Sequence, residues 1–308
     1  GTMPKIVYCA EEVDYMRLVV NTSNSALNYS LSADQIRASS SIDLLYTTIS
    51  GSARNNQLGI SLQVRDASKK ERYRVAGVFS VLPSESQFSF LQNGLMLDSK
   101  PWPVSADNTL QFGAKGIMAK NFTITNAGQT LSINSTSQQM NAPIDVDFKN
   151  FHIETLTRVA RQDSLQIGGV INGRAEISNF EKSPVFTSAL NIGDFNFKGD
   201  TVGNIALKVN NQTQNAYAAD VSITGKGNQV NMKGLYYTGP QSRFDLNLAM
   251  VRLNMKSIEG FTFGKLKESR GALTGQLKIS GTTSAPAIRR DVHFDQFGFN
   301  VAMLNSFF

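Results

Sequence analysis

Apolar and polar residues trade places at every second position over most of this chain, and that period confines it to β-structure. Examples are Ile60-Ser-Leu62-Gln-Val64, Ile144-Asp-Val146-Asp-Phe148, Ile205-Ala-Leu207-Lys-Val209 and Phe244-Asp-Leu246-Asn-Leu248-Ala-Met250. Successive side chains of a strand point to opposite faces, so each segment offers one apolar and one polar face. Turn signals separate the segments: Asn126-Ala-Gly128, Gly225-Lys-Gly227-Asn228 and Thr238-Gly239-Pro240. The pattern predicts a long antiparallel all-β fold. Two stretches break the rhythm with apolar residues at helical spacing. One runs from Phe151 through Leu156 and Val159 to Ala160, the other surrounds Ile258 and Phe261. Short helical segments are therefore expected near 151–161 and 256–264, each too short to stand alone.

The second constraint is an ungapped internal repeat. Gly169 aligns with Gly271, an offset of 271 − 169 = 102. At that offset Gly173 meets Gly275, Ile177 meets Ile279, Pro184 meets Pro286, Leu190 meets Val292, Phe195 meets Phe297 and Phe197 meets Phe299. Upstream, Ile144, Val146, Phe148 and Ile153 meet Leu246, Leu248, Met250 and Met255, so both helical breaks fall at the same place in the repeat. Alternating strands match apolar to apolar by chance, but chance rarely adds two glycines and a proline in register. The expected organisation is a diverged β-rich unit at 1–143, a repeat unit at 144–245, and a second, truncated copy at 246–308. Stacked repeats that share an apolar surface grow along one axis and need capping at their ends.

Hydrophobic content of 41% is that of a folded chain, while the 18% of charged residues is low and is made up by Asn, Ser, Thr and Gln. A surface of neutral polar groups suits sheets exposed to water outside the cytosol. The net charge of +6, from 30 basic and 24 acidic residues, is scattered. Its densest run, Lys69-Lys70-Glu71-Arg72-Tyr73-Arg74, reads as a solvated turn, with Arg289-Arg290 second. No basic stripe with interleaved aromatics marks a nucleic-acid surface. The single cysteine, Cys9, excludes an internal disulfide and a cysteine-based metal site. No stretch approaches the about 18–20 apolar residues of a membrane-spanning helix, and no signal peptide stands at the start. Gly1-Thr2-Met3 reads as a cloning remnant and the abrupt end as a cut through a longer parent.

No catalytic constellation emerges, and no cofactor or metal is expected. The two histidines, His152 and His293, are far apart, and His293 lies on the polar face of its strand. Asp145, Asp147 and Asp194 alternate with apolar residues and so point outward. Gly225-Lys-Gly227 reads as a hairpin turn, because no helix pattern follows it. The Asn-x-Ser/Thr triplets are expected from composition. Trp102, between Pro101 and Pro103, reads as a packed anchor.

The run Gly271-Ala-Leu273-Thr-Gly275-Gln-Leu277-Lys-Ile279-Ser-Gly281-Thr282, with Pro286 and Ile288, resembles the recurrent Gly/Leu, Gly-Thr-to-Pro signature of the TamB family, within the AsmA-like group. The earlier copy, Gly169 to Ile177 with Pro184, is a degenerate version in which Asn179-Phe180 replaces Gly-Thr. Residues Asn93 to Trp102 and Phe112 to Phe122 are also similar to that family, and the resemblance covers about two thirds of the chain. It implies an elongated, curved antiparallel sheet of repeated units forming a U-shaped groove of the β-taco type. It also implies a periplasmic location, with the parent anchored in the inner membrane by a segment absent here. The function it implies is phospholipid carriage between inner and outer membrane and support of outer-membrane biogenesis by the translocation and assembly module. The implied partners are phospholipid acyl chains and, through other parts of the parent, an outer-membrane TamA-type barrel. Groove-lining candidates are then Phe195, Phe197, Leu207, Val209, Leu246, Leu248, Leu277, Ile279, Phe294, Phe297 and Phe299. Alternation by itself fits a closed sandwich core as well. The rival readings are a non-lipid module that assists assembly of outer-membrane β-proteins, a passive β-solenoid and an outer-membrane barrel.

Overall fold

The structure is a computed structural model that describes residues 1–9, 11–38, 42–159, 163–180, 183–303 and 306–307. It is all-β: two large antiparallel sheets of ten and twelve strands, neither closed into a barrel. Two compact units divide the chain, residues 1–145 and 146–308.

The first unit begins with β1 (Thr2–Tyr8), β2 (Glu11–Ser23), β3 (Ala26–Ala38), β4 (Ile42–Arg54), β5 (Gln57–Arg65), β6 (Glu71–Val81) and β7 (Glu85–Leu97). These pair in chain order. After them come β8 (Lys100–Pro101), β9 (Thr109–Gly113), β10 (Gly116–Lys120), β11 (Phe122–Asn126) and β12 (Gln129–Ser135). Register lays Leu18, Leu31, Ile49, Leu62, Val75 and Leu95 in one row across six strands. On the opposite face, Ser30, Ser50, Ser61 and Ala76 form the matching row. Trp102 is 1% exposed, and Val104, Phe122 and Ile124 are also buried. Asn108 stands in for a strand there. Its amide accepts from the Phe90 N–H at 2.7 Å and donates to the Phe90 carbonyl at 2.9 Å. The basic run at 69–74 is consumed locally. Lys69 sits over the Tyr46 ring, Arg72 pairs with Asp98, and Arg74 pairs with Glu71.

The second unit takes up β13 (Ile144–His152) near its start and continues through α1 (Ile153–Val159), β14 (Ile167–Ser178), β15 (Val185–Phe197), β16 (Asp200–Asn210) and β17 (Ala216–Gly225). It goes on through β18 (Asn228–Tyr237), β19 (Arg243–Asn254), β20 (Leu266–Thr282), β21 (Pro286–Val301) and β22 (Ser306–Phe307). These strands again neighbour one another in chain order. The β17–β18 turn holds Lys226 and Gly227 at positive φ between the paired Gly225 and Asn228, the two-residue hairpin geometry matched to strand twist.

Both helical breaks are helical. α1 starts at Ile153, and a 3₁₀ segment, Met255–Thr262, starts 102 residues later. Ala160 and Arg161, the end of the first expected break, lie outside the described residues. The repeat also recurs in its close approaches. A Cβ at Gly173 would run into the Ala189 carbonyl, and one at Gly275 into the Asp291 carbonyl, again 102 residues on. Both glycines have positive φ, at 129° and 118°, which an L side chain tolerates poorly. Bulges recur too: Asp194 and Gln296 carry φ values of 49° and 45° beside register shifts in β15 and in the β20–β21 pair. Each bends its strand.

Candidate functional site

From β14 to β21, register gathers the alternating residues into continuous rows. The first row is Ile171, Ile192, Ile205, Ile223, Val230, Met250, Gly275 and Val292. The second is Gly173, Leu190, Leu207, Val221, Met232, Leu248, Leu277 and Arg290. The third is Ala175, Ser188, Val209, Ala219, Gly234, Leu246, Ile279 and Ile288. Beyond it a fourth row turns aromatic. Phe186, Tyr217, Tyr236 and Phe244 follow one another with ring centroids 5.7, 6.4 and 5.3 Å apart. Strand and residue spacings make this face about 34 Å along the rows and about 20 Å across them.

The opposite face is polar at the alternating positions. One of its rows is Arg174, Ala189, Lys208, Asp220, Lys233, Asn247, Lys278 and Arg289. Asp220 pairs with Lys233 at 3.0 Å, and Asp245 with Lys278 at 3.4 Å. His293 lies on this face and is exposed.

Most of the apolar rows are only half-buried, Leu207, Val221, Met232, Leu248, Leu277 and Ile279 among them. The chain exposes 18180 Å². Two separate compact bodies of half its 33.7 kDa each would together expose about 15,000 Å². The difference is surface beyond that of two compact bodies. A closed sandwich would bury these leucines and valines as fully as Trp102.

Of the residues expected to line a groove, Leu207, Val209, Leu246, Leu248, Leu277 and Ile279 share this face in the second and third rows. Phe195 lies opposite Gly203, beside the first row, and Phe294 opposite Leu273. Phe297 joins Phe294 at 4.8 Å and Phe299 at 5.1 Å. Phe197 has a different setting. It is 7% exposed, its ring stacks on Phe261 at 4.5 Å, and Phe263 meets its edge at 6.0 Å.

The 3₁₀ segment thus caps one end of the β15–β16 hairpin, and polar contacts hold it there. Buried Asn228 donates to the Val202 carbonyl and the Ser257 hydroxyl and accepts from the Asn254 N–H, at 2.7, 2.8 and 2.7 Å. Lys256 reaches Glu259 at 3.0 Å and Asp200 at 3.4 Å. A cleft of about 610 Å³ opens beside these groups, lined by Lys198, Asp200, Lys256, Glu259, Phe263 and Lys267 among others. Burial pushes the Glu259 carboxyl up, but the Ser269 N–H and the Lys256 ammonium outweigh it and hold the group below its ordinary value. Lys256 is held above its ordinary value, first by its hydrogen bond to Glu259. A lowered carboxyl value means stability that is present above the unfolded value and lost as pH falls through the folded one. Melting temperatures from pH 6 to pH 3 should therefore show wild type ahead of Glu259→Gln at the upper end, with the gap closing on acidification.

Sequence reasoning treated Arg290 only as half of a basic pair. The signal was present: Ile288, Arg290, Val292 and Phe294 alternate, so Arg290 stands at an apolar position of β21. Compared with family models, curated proteins and solved structures, the chain matches none of them.

Proposed function

We propose that this chain is the periplasmic part of a TamB-like protein whose open apolar face carries phospholipid acyl chains between the inner and outer membranes, in support of outer-membrane biogenesis. Its role is carriage, not catalysis. The supporting observation is the ladder of apolar rows across eight strands, most of its side chains partly exposed and backed by a polar face. Acyl chains laid on such a face lose contact with water at about 0.8 kcal/mol per CH₂ buried. The rows repeat with every strand, so neighbouring positions offer similar energies and a bound chain can move along them. A deep pocket would instead hold it at one place. A TamA-type barrel in the outer membrane is the partner this reading assigns to other parts of the parent.

Native mass spectrometry of the detergent-free protein, followed by solvent extraction, tests the reading. The expected result is co-purified phospholipid at a reproducible ratio. A clean apo mass that stays clean after incubation with liposomes would overturn it. That result would favour an assembly module using the far side of β21, where among the described residues only Asn300 and Val301 have strand partners. An open edge of that kind accepts an added strand.

A further inference from the structure

The three rows across eight strands make 3 × 8 = 24 positions on the apolar face, and one of them carries an ionisable side chain: Arg290, directly across from Leu277. Every other position is apolar or glycine except Ser188. Charges abound on the opposite face, so a cation here departs from an otherwise strict partition. Arg290 lies on β21, where among the described residues only Asn300 and Val301 pair on the side away from β20, and it is itself exposed. Its neighbours along that face are Ile288, 58% exposed, and, past Val292, Phe294, 60% exposed. Among the described residues Arg290 has neither an ion-pair nor a hydrogen-bond partner.

Resting on the lipid-carrying reading above, we propose that Arg290 is the head-group anchor of the apolar face, binding the phosphodiester of a glycerophospholipid whose acyl chains lie over Leu277 and Leu248. A guanidinium donates two parallel N–H bonds to two phosphate oxygens. Exposed on an otherwise apolar face, it holds the phosphate of an amphiphile where the tails meet water. The position fits that chemistry because Arg290 is exposed, so a head group there stays solvated, and Leu277 and Leu248 continue its row across the next two strands. The competing account is an inward-pointing charge that keeps an open edge from pairing with another sheet.

The experiment uses two probes with the same fluorescent acyl chain, a phosphatidylglycerol and a diacylglycerol, titrated into wild type, Arg290→Gln and Arg290→Lys, with circular dichroism confirming the fold of each. Wild type should prefer the phospholipid by about tenfold or more, the scale of charge-assisted hydrogen bonds. R290Q should bring the ratio near one while leaving diacylglycerol binding unchanged, and R290K should keep part of the preference. Millimolar glycerol phosphate should not displace the bound phospholipid. An unchanged ratio in R290Q overturns the proposal. If R290Q instead self-associates in sedimentation with its lipid preference intact, the residue guards the edge. Displacement by glycerol phosphate alone would make it a plain anion site. Wild type binding neither probe would bring down the lipid-carrying reading itself, whereas binding both probes equally would remove only the anchor.

Discussion

Leu248→Arg should cut bound phospholipid at least about tenfold while the protein stays folded. Leu248 sits mid-sheet in the second row, between Met232 and Leu277 across the strands, and is half-buried. An arginine there turns its guanidinium to solvent along the open face, so the loss of stability should be roughly 1 kcal/mol. The same charge interrupts the apolar path for any acyl chain laid across it. In a closed core the substitution would bury an unpaired charge, destabilise by several kcal/mol and drive aggregation. Asn247→Arg, one residue away on the polar face, is the matched control and should leave lipid content unchanged. Extracted lipid and a thermal melt, read together, separate the outcomes. A soluble variant with wild-type lipid content would mean that this face does not carry the lipid.

Gly275→Ala should be strongly destabilising, at about 3 kcal/mol. Its φ of 118° strains any L side chain, and the new Cβ would meet the Asp291 carbonyl of β21. Strand backbone cannot swing away as a flexible side chain can, so β20 and β21 would have to part. Gly239→Ala separates the two contributions. That glycine has a φ of 130° but no neighbour within 4 Å of an added Cβ, so only the dihedral penalty remains, about 1–2 kcal/mol. Urea denaturation of both variants gives the difference, and equal losses would remove the steric account. Gly173→Ala should behave as Gly275→Ala does, since its Cβ would meet the Ala189 carbonyl at the equivalent place.

The faces were legible because strand periodicity is a local property. Leu246 and Leu248 against Asp245 and Asn247 disclose the two sides of β19 without knowledge of its neighbours. The helical breaks were legible for the same reason, and the offset of 102 placed both. The burial of Phe197 was not, because its ring is covered by Phe261, 64 residues further along (261 − 197), and no pattern within β15 announces that contact. Bulges at Asp194 and Gln296 were equally hidden, since neither is a glycine and both occur inside alternating segments. Whether the apolar face is open or covered also lay beyond periodicity, which reads alike for a groove lining and a sandwich core. The partial exposure of residues such as Leu207, Leu248 and Leu277 is what bears on it.

The pairing of β13 to β22 strictly in chain order has a consequence for how such a sheet is made and altered. Every strand meets only the strands before and after it, so the sequence separation of paired residues stays small for an all-β protein. Such local pairing shortens the loops that must close at each step and favours zipping from one hairpin to the next. Inserting or deleting a hairpin would lengthen or shorten the apolar face by about 10 Å and leave the remaining pairs as they were. The reach of this surface is thus set by strand number alone, in increments of two.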